Sequence, residues 1–234
     1  MTGDENAATA TLCRAFDLAV AFRDPELAKF GMRNAIIPVG DSFLEVASPV
    51  DPGTSAARFL ARHGAGGFLV IVQTNDLESA HARAIANGAR IAHRIHKAGV
   101  TELQLMRQDV GGCLLSIDQS CPSASWPFAG PDWHRHVRRH VVDGLAGVDI
   151  ACGETHAVAR RWAAVLGRTV TKEAVGEYTI RLDDGMDITF RKRTDRSPDR
   201  LVGVRLRHTA GAAPVQPIQL GNLTVSTAPI DGGD

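Results

Sequence analysis

The residue whose chemistry stands out is Glu45. It lies in VGDSFLEVAS (39–48), and that stretch is echoed 71 residues later by VGGCLLSIDQ (110–119). Val39 falls over Val110, Gly40 over Gly111, Leu44 over Leu115 and Val46 over Ile117. Where the first copy has Glu45, the second has Ser116. A carboxylate can serve as a general base or as an oxygen ligand to a divalent metal, whereas a serine hydroxyl is a poor metal ligand.

Strand alternation assigns these residues to faces. In SFLEV, Leu44 and Val46 point one way, and Phe43 and Glu45 the other. In ELQLM, Leu103 and Leu105 oppose Glu102, Gln104 and Met106. In LLSID, Leu115 and Ile117 oppose Leu114, Ser116 and Asp118. One face is uniformly apolar and suits helix packing. The other mixes apolar residues with Glu, Gln, Ser and Asp, and so either meets solvent or lines a cavity.

The elements that must position these residues repeat. GFLVIVQT (67–74) has strand length and β-branched composition, and DLESAHARAIANG (76–88) is a helix with an Asp76 N-cap and a Gly88 stop. ARIAHRIH, VTELQLM and CLLSIDQ follow as strands separated by glycine turns. This unit is strand, helix, strand, strand, strand. At the same offset, NAATATLCRAFD (6–17) is a helix, and LAVAFRDP (18–25), FGMRNAIIPV (30–39) and SFLEVAS (42–48) are strands. The strand that should open this first unit maps to positions before Met1. A third copy begins with LAGVDIA (145–151) and the helix ETHAVARRWAAVLG, followed by strands in TVTKEAV, EYTIRLDDG and MDITFRKR. LVGVRLR (201–207) repeats the spacing of LAGVDIA and opens a partial fourth unit, finished by a strand in QPIQLGNLTVS, with a frayed tail TAPIDGGD. The fold class is α+β, built from repeated βαβββ modules in curved mixed sheets. The expected domains are 1–120 (modules one and two), a Pro/Trp-rich linker with a basic helix over 121–144, a degenerate half over 145–227, and a tail over 228–234.

Composition sets bounds on function. A chain of 234 residues with 44% hydrophobic and 22% charged residues can bury a core. Its 26 basic and 26 acidic residues cancel, leaving no overall field to recruit nucleic acid or an anionic membrane. No stretch has the length of a membrane span, and the acidic, polar start has no signal-peptide pattern. Cys13, Cys113, Cys121 and Cys152 form no C-x-x-C pair, and are read as reduced thiols in a cytoplasm. G-x-S-x-G, Walker and G-x-G-x-x-G patterns are absent, which argues against serine hydrolases and nucleotide binders.

The ordered series FRDPELAKFGMRNAIIPVGDSFLEVASPV, GTSAARFLARHGAGGFLVIVQTNDL and DVGGCLLSIDQ resembles the bacterial glyoxalase-like members of the vicinal oxygen chelate superfamily. The resemblance covers residues 11–133 well and 145–207 more loosely. It implies paired modules whose sheets enclose a cavity, often with a divalent metal held by the first and last strands of each module. Glu45 stands at such a ligand position, while Ser116 and the centre of GFLVIVQT supply no His, Glu or Asp. The family pattern also implies H-L-H before D-V-G-G, where this chain has Gln104, Leu105 and Met106.

The resulting expectation is a cavity for a small molecule with Glu45 as catalytic base. Phe43, Asn34, Gln73, Gln104, Met106 and Ser116 would contact the ligand. No cofactor is expected, and Glu45 is the one candidate for a metal position. The alternative is a metal-dependent (Zn, Ni, Fe or Mn) lyase, isomerase or dioxygenase completing its site across a dimer. The expected partners are a small molecule and a second copy of the chain, without nucleic acid or membrane.

Other features have plainer readings beside the functional ones. His136 and His140, four apart on an expected helix, could chelate a metal, but Arg135, Arg138 and Arg139 around them oppose a cation and favour a solvated basic helix. Trp126, Phe128 and Trp133 could stack on a planar ligand or pin the linker. His93 and His96 lie on opposite faces of one strand and cannot chelate together. GAGG (64–67) leads into a strand, so it reads as a turn and not as a phosphate cradle, and RKRTDR (191–196) as an exposed strand end.

Overall fold

Helix α1 (Glu5–Phe16) starts where Asp4 accepts the backbone N–H of Ala7, and it stops at Asp17 in the left-handed conformation. Strands β1 (Met32–Val39) and β2 (Ser42–Pro49) pair as a hairpin across the two-residue turn Gly40–Asp41. Gly40 has φ +62°, and a Cβ there would lie 2.0 Å from the Asp143 carbonyl oxygen, so a side chain is excluded twice over. A helix not expected from the sequence follows, α2 (Ser55–His63), capped by Thr54.

Module two is β3 (Leu69–Gln73), α3 (Leu77–Ala86), β4 (Ile91–Lys97), β5 (Val100–Leu105), the short α4 (Arg107–Val110) and β6 (Leu114–Ser120). Asp76 caps α3 as expected, accepting from the Ser79 N–H. Module three is β7 (Val142–Cys152), α5 (Thr155–Leu166), β8 (Thr171–Ala174), β9 (Glu177–Arg181) and β10 (Asp187–Lys192). Then come β11 (Arg200–His208), β12 (Ile218–Leu220) and β13 (Leu223–Ala228), so the one strand expected over 217–226 is a hairpin. This computed structural model describes residues 1–228, and the expected fraying of the tail lies, from residue 229, outside the described residues.

The chain forms two compact units. One comprises Met1–Gly66, Phe128–Ala146 and the residues from Gly203 onward; the other comprises Gly67–Pro127 and Gly147–Val202. The second unit therefore holds modules two and three. There the repeat is visible in the pairing. β3 lies parallel to β6, with β5 and then β4 antiparallel beyond it. β7 lies parallel to β10, with β9 and then β8 antiparallel beyond it. Each module thus runs first strand, fourth, third, second. Helices cover the apolar faces that strand alternation assigned: Leu103, Leu105, Leu115 and Ile117 are buried, as are Leu77, Ala80 and Ala84 of α3. Trp162 of α5 is fully buried and donates its indole N–H to the Gly111 carbonyl.

Two further expectations fail. LAVAFRDP is no strand; it makes one isolated bridge, Phe22 to Ile36, and a 3-10 helix follows over Pro25–Phe30. The ladder starts with Ala21 N–H on Ile36 O and Ile36 N–H on Phe22 O, but the next donor, Asp24 N–H, goes to the Asn34 side chain. Pro25 then has no N–H to give. The basic linker helix is absent too: a 3-10 turn covers Trp133–His136, and Val137 is already extended. Its basic side chains are drawn to acidic partners instead, Arg138 and His140 to Asp17 and Arg139 to Asp41. His136 and His140 therefore share no helix face. Trp133 is buried edge-on against Phe43, ring centroids 4.8 Å apart, so it pins the linker to β2.

Candidate functional site

In the first unit, register decides what surrounds Glu45. The two-residue turn sets Glu45 opposite Ile36 and Asn34 opposite Ala47, so Met32, Asn34, Ile36, Pro38, Phe43, Glu45 and Ala47 share a face. That face is apolar apart from one amide and one carboxyl. Asn34 and Glu45 are diagonal neighbours, and the Asn34 Nδ2 donates to Glu45 Oε1 at 2.6 Å. Asn34 is buried, and its Oδ1 accepts the Asp24 N–H at 2.9 Å. Arg23 joins the same network, donating to the Asn34 carbonyl and to Glu5, whose carboxylate on α1 is fully buried.

Glu45 is exposed to solvent, yet its pKa is raised above the ordinary glutamate range, first of all by desolvation. The side chain keeps solvent-exposed surface while the atoms packed around its carboxyl strip part of the water from the charged form. The Asn34 hydrogen bond and the Met1 amine pull the pKa back down, and the Asp24 charge pushes it up.

The other expected site residues belong to the second unit. Gln104 lies opposite Ser116, and Ile71 opposite Ser116 from the other side, so the polar face is assembled on β3, β6 and β5. Ser116 is fully buried, and its hydroxyl donates to Asp118 Oδ1 at 2.7 Å. Gln73 is committed to its own strand end, donating to the Ser120 hydroxyl and accepting the Ala124 N–H. Met106 is half-buried and precedes α4, with its N–H on the Arg90 carbonyl.

Asp118 is the functional group that sequence reasoning passed over. It is 4% exposed, directly opposite Glu102, and its pKa is raised to about 7. Desolvation is the main cause, the Ser116 hydrogen bond opposes it, and the Glu102 charge adds to it. The signal was present in the alternation of LLSID and ELQLM, which put both carboxyls on one face. Burial near neutral pKa is what a general acid or base needs, although structural groups also acquire it.

Among the described residues, no group of three or more His, Cys, Asp and Glu could hold a metal ion. Around Glu45, one carboxylate oxygen already takes an amide N–H, and Asp24 Oδ1 is occupied by the Glu26 N–H. These residues do not fit a divalent metal. The four cysteines are free, and burial pushes the Cys113 and Cys152 thiols up to about 12, too high for a thiolate nucleophile. No helix among the described residues is long and apolar enough to cross a membrane.

Comparison with known proteins bears on the fold and the family. No curated protein matches the chain. A hypothetical protein from Staphylococcus aureus is similar in structure with a TM-score of 0.70 at 13% identity, over 92% of this chain and 91% of that one. A variant of 4-hydroxymandelate synthase from Streptomyces coelicolor is similar with a TM-score of 0.65 at 16% identity, over 88% of this chain and 68% of that one. At such identities the likeness is one of fold. The family model described as a glyoxalase-like domain matches residues 6–166, which is more than half of the sequence. The chain belongs to the glyoxalase-like domain family of the vicinal oxygen chelate superfamily.

Proposed function

We propose that this protein binds a small carbonyl compound on the Glu45 face of β1 and β2 and moves a proton on it, with Glu45 as the base and no metal in the step. One observation carries this reading: a solvent-accessible carboxyl, raised in pKa by burial, stands on an otherwise apolar strand face and is fixed by a buried amide. A raised pKa makes a carboxylate a stronger base, and an apolar floor suits the carbon skeleton of a ligand. Asp118 is the second group with suitable protonation chemistry, but it is nearly closed to solvent, and this favours Glu45.

The test is solvent exchange. Purified protein, with its metal content measured, is incubated in D2O with a panel of α-hydroxy and α-keto carbonyl compounds, and proton loss at the α-carbon is followed by NMR. The expected outcome is exchange of at least one compound without a stoichiometric metal, lowered roughly 10²–10⁴-fold in Glu45→Gln. Full exchange in Glu45→Gln, or exchange that disappears on chelation and returns with a divalent metal, overturns the proposal.

A further inference from the structure

The Asn34 amide is the most heavily constrained side chain near Glu45, and its constraint has a direction. Its Oδ1 accepts a backbone N–H, that of Asp24, which cannot act as an acceptor. That bond settles which end of the amide is oxygen and leaves Nδ2 aimed at Glu45 Oε1, 2.6 Å away. Its backbone is held as well, because Arg23 Nη1 reaches the Asn34 carbonyl at 3.3 Å while anchored on the buried carboxylate of Glu5. At 3% exposure, Asn34 has almost no surface to offer a ligand.

We propose that Asn34 is a positioning residue: it clamps Glu45 through Oε1 alone and so reserves Oε2 as the atom that takes a proton from carbon and delivers one to it. The inference rests on the reading of Glu45 as the proton-transfer group. It replaces the expectation that Asn34 contacts the ligand. An amide N–H on Oε1 disfavours an O–H bond there, since the hydroxyl oxygen of a carboxylic acid accepts more weakly than its carbonyl oxygen. In the transfer step the α C–H bond of the carbonyl compound breaks and its electron pair stays on the substrate as an enolate. The O–H bond forms at Glu45 Oε2, that proton exchanges with solvent, and Oε2 delivers a proton to carbon when the enolate collapses. Asn34 keeps the carboxylate plane fixed through both steps and stabilises its ionised form more than its neutral form.

The consequence is measurable without any substrate. With glutamate side chains labelled at the carboxyl carbon, and the Glu45 signal assigned by its loss in Glu45→Gln, the Glu45 midpoint is followed by NMR titration in the full chain. Asn34→Ala removes the donor, and the Glu45 midpoint is expected to rise by about one to two units. Asn34→Asp keeps the shape and the acceptor for the Asp24 N–H but reverses the interaction, and a rise at least as large is expected. The pH at which α-proton exchange half-develops should move upward with the titration in both variants, which loss of packing alone does not do. A Glu45 midpoint unmoved in a folded Asn34→Asp protein overturns the clamp, and so does a midpoint that falls in either variant. A moved midpoint with full exchange activity in Glu45→Gln overturns the base and leaves the clamp standing.

Discussion

The last strands of modules one and two each carry a carboxyl whose pKa burial raises, and the two are held in opposite ways. Glu45 on β2 is open to solvent and is steadied by a neutral amide, Asn34. Asp118 on β6 is closed to solvent and steadied by the Ser116 hydroxyl, with a second carboxylate, Glu102, across from it. The register makes the comparison sharp. Glu45 and Ser116 are equivalent, so Asp118 takes the place of Ala47, and the residues opposite those two are Asn34 and Glu102. Between the modules the carboxyl has moved by one pleat, two residues along the strand, and the amide partner has been exchanged for an acid. The backbone scaffold is shared while the protonation chemistry is not. A fold likeness alone therefore carries little about the reaction.

The largest expected effect comes from Asp118. Its folded-state pKa of about 7 lies above the unfolded value near 3.9, so the folded protein binds more protons between those limits. Stability is full below about pH 4, falls as the pH rises toward 7, and is flat above. A displacement of about three units corresponds to ~4 kcal/mol as an upper bound. Asp118→Asn keeps an acceptor for the Ser116 hydroxyl and carries no charge. Relative to the wild type it should gain most of that difference between pH 4 and pH 8, read from urea unfolding at each pH. Parallel stability curves for the two proteins would remove Asp118 from the comparison.

Ser116→Ala probes the opposing force and is expected to do less. The hydroxyl stabilises the ionised form of Asp118, so its loss should cost roughly 1.5–3 kcal/mol above pH 7 and little below pH 4. The Asp118 midpoint should rise further. An equal cost at both ends of the pH range would mean that the hydroxyl is there for packing and not for the charge.

Much of this arrangement is legible in the sequence. The 71-residue echo and the alternation of Leu103, Leu105, Leu115 and Ile117 correctly identify the helix-facing side of module two. What escapes is set by side chains that intercept backbone bonds. LAVAFRDP has a strand's composition, but Asn34 takes the Asp24 N–H that the ladder would have used. The linker has helical spacing, but Arg135, Arg138 and Arg139 would stack like charges three and four apart, and module one offers Asp17 and Asp41 to two of them. The echo also conceals a change of register. Glu45 and Ser116 differ by 71 in number, whereas their strand partners Ile36 and Gln104 differ by 68, because α4 stands where module one has a two-residue turn. The Asn34–Glu45 pair follows from that turn, since Gly40–Asp41 sets Val39 opposite Ser42 and Asn34 opposite Ala47. The division of the chain into two units built from non-contiguous segments has no local signal in the sequence.

Glu102→Gln asks for the finest distinction. Directly opposed like charges on neighbouring strands cost only about 0.2–1 kcal/mol, so the Asp118 midpoint should fall by less than about one unit. Glutamine is the amide counterpart of the acid and matches what Asn34 offers Glu45, so the variant turns the module two arrangement toward that of module one. Because desolvation is the main cause of the Asp118 shift, the midpoint should stay well above the ordinary aspartate range even then. Carboxyl-labelled NMR reads both numbers directly. A midpoint that drops to the ordinary range in Glu102→Gln would make charge repulsion, not burial, the force that sets Asp118 apart, and the likeness between the two carboxyls would end there.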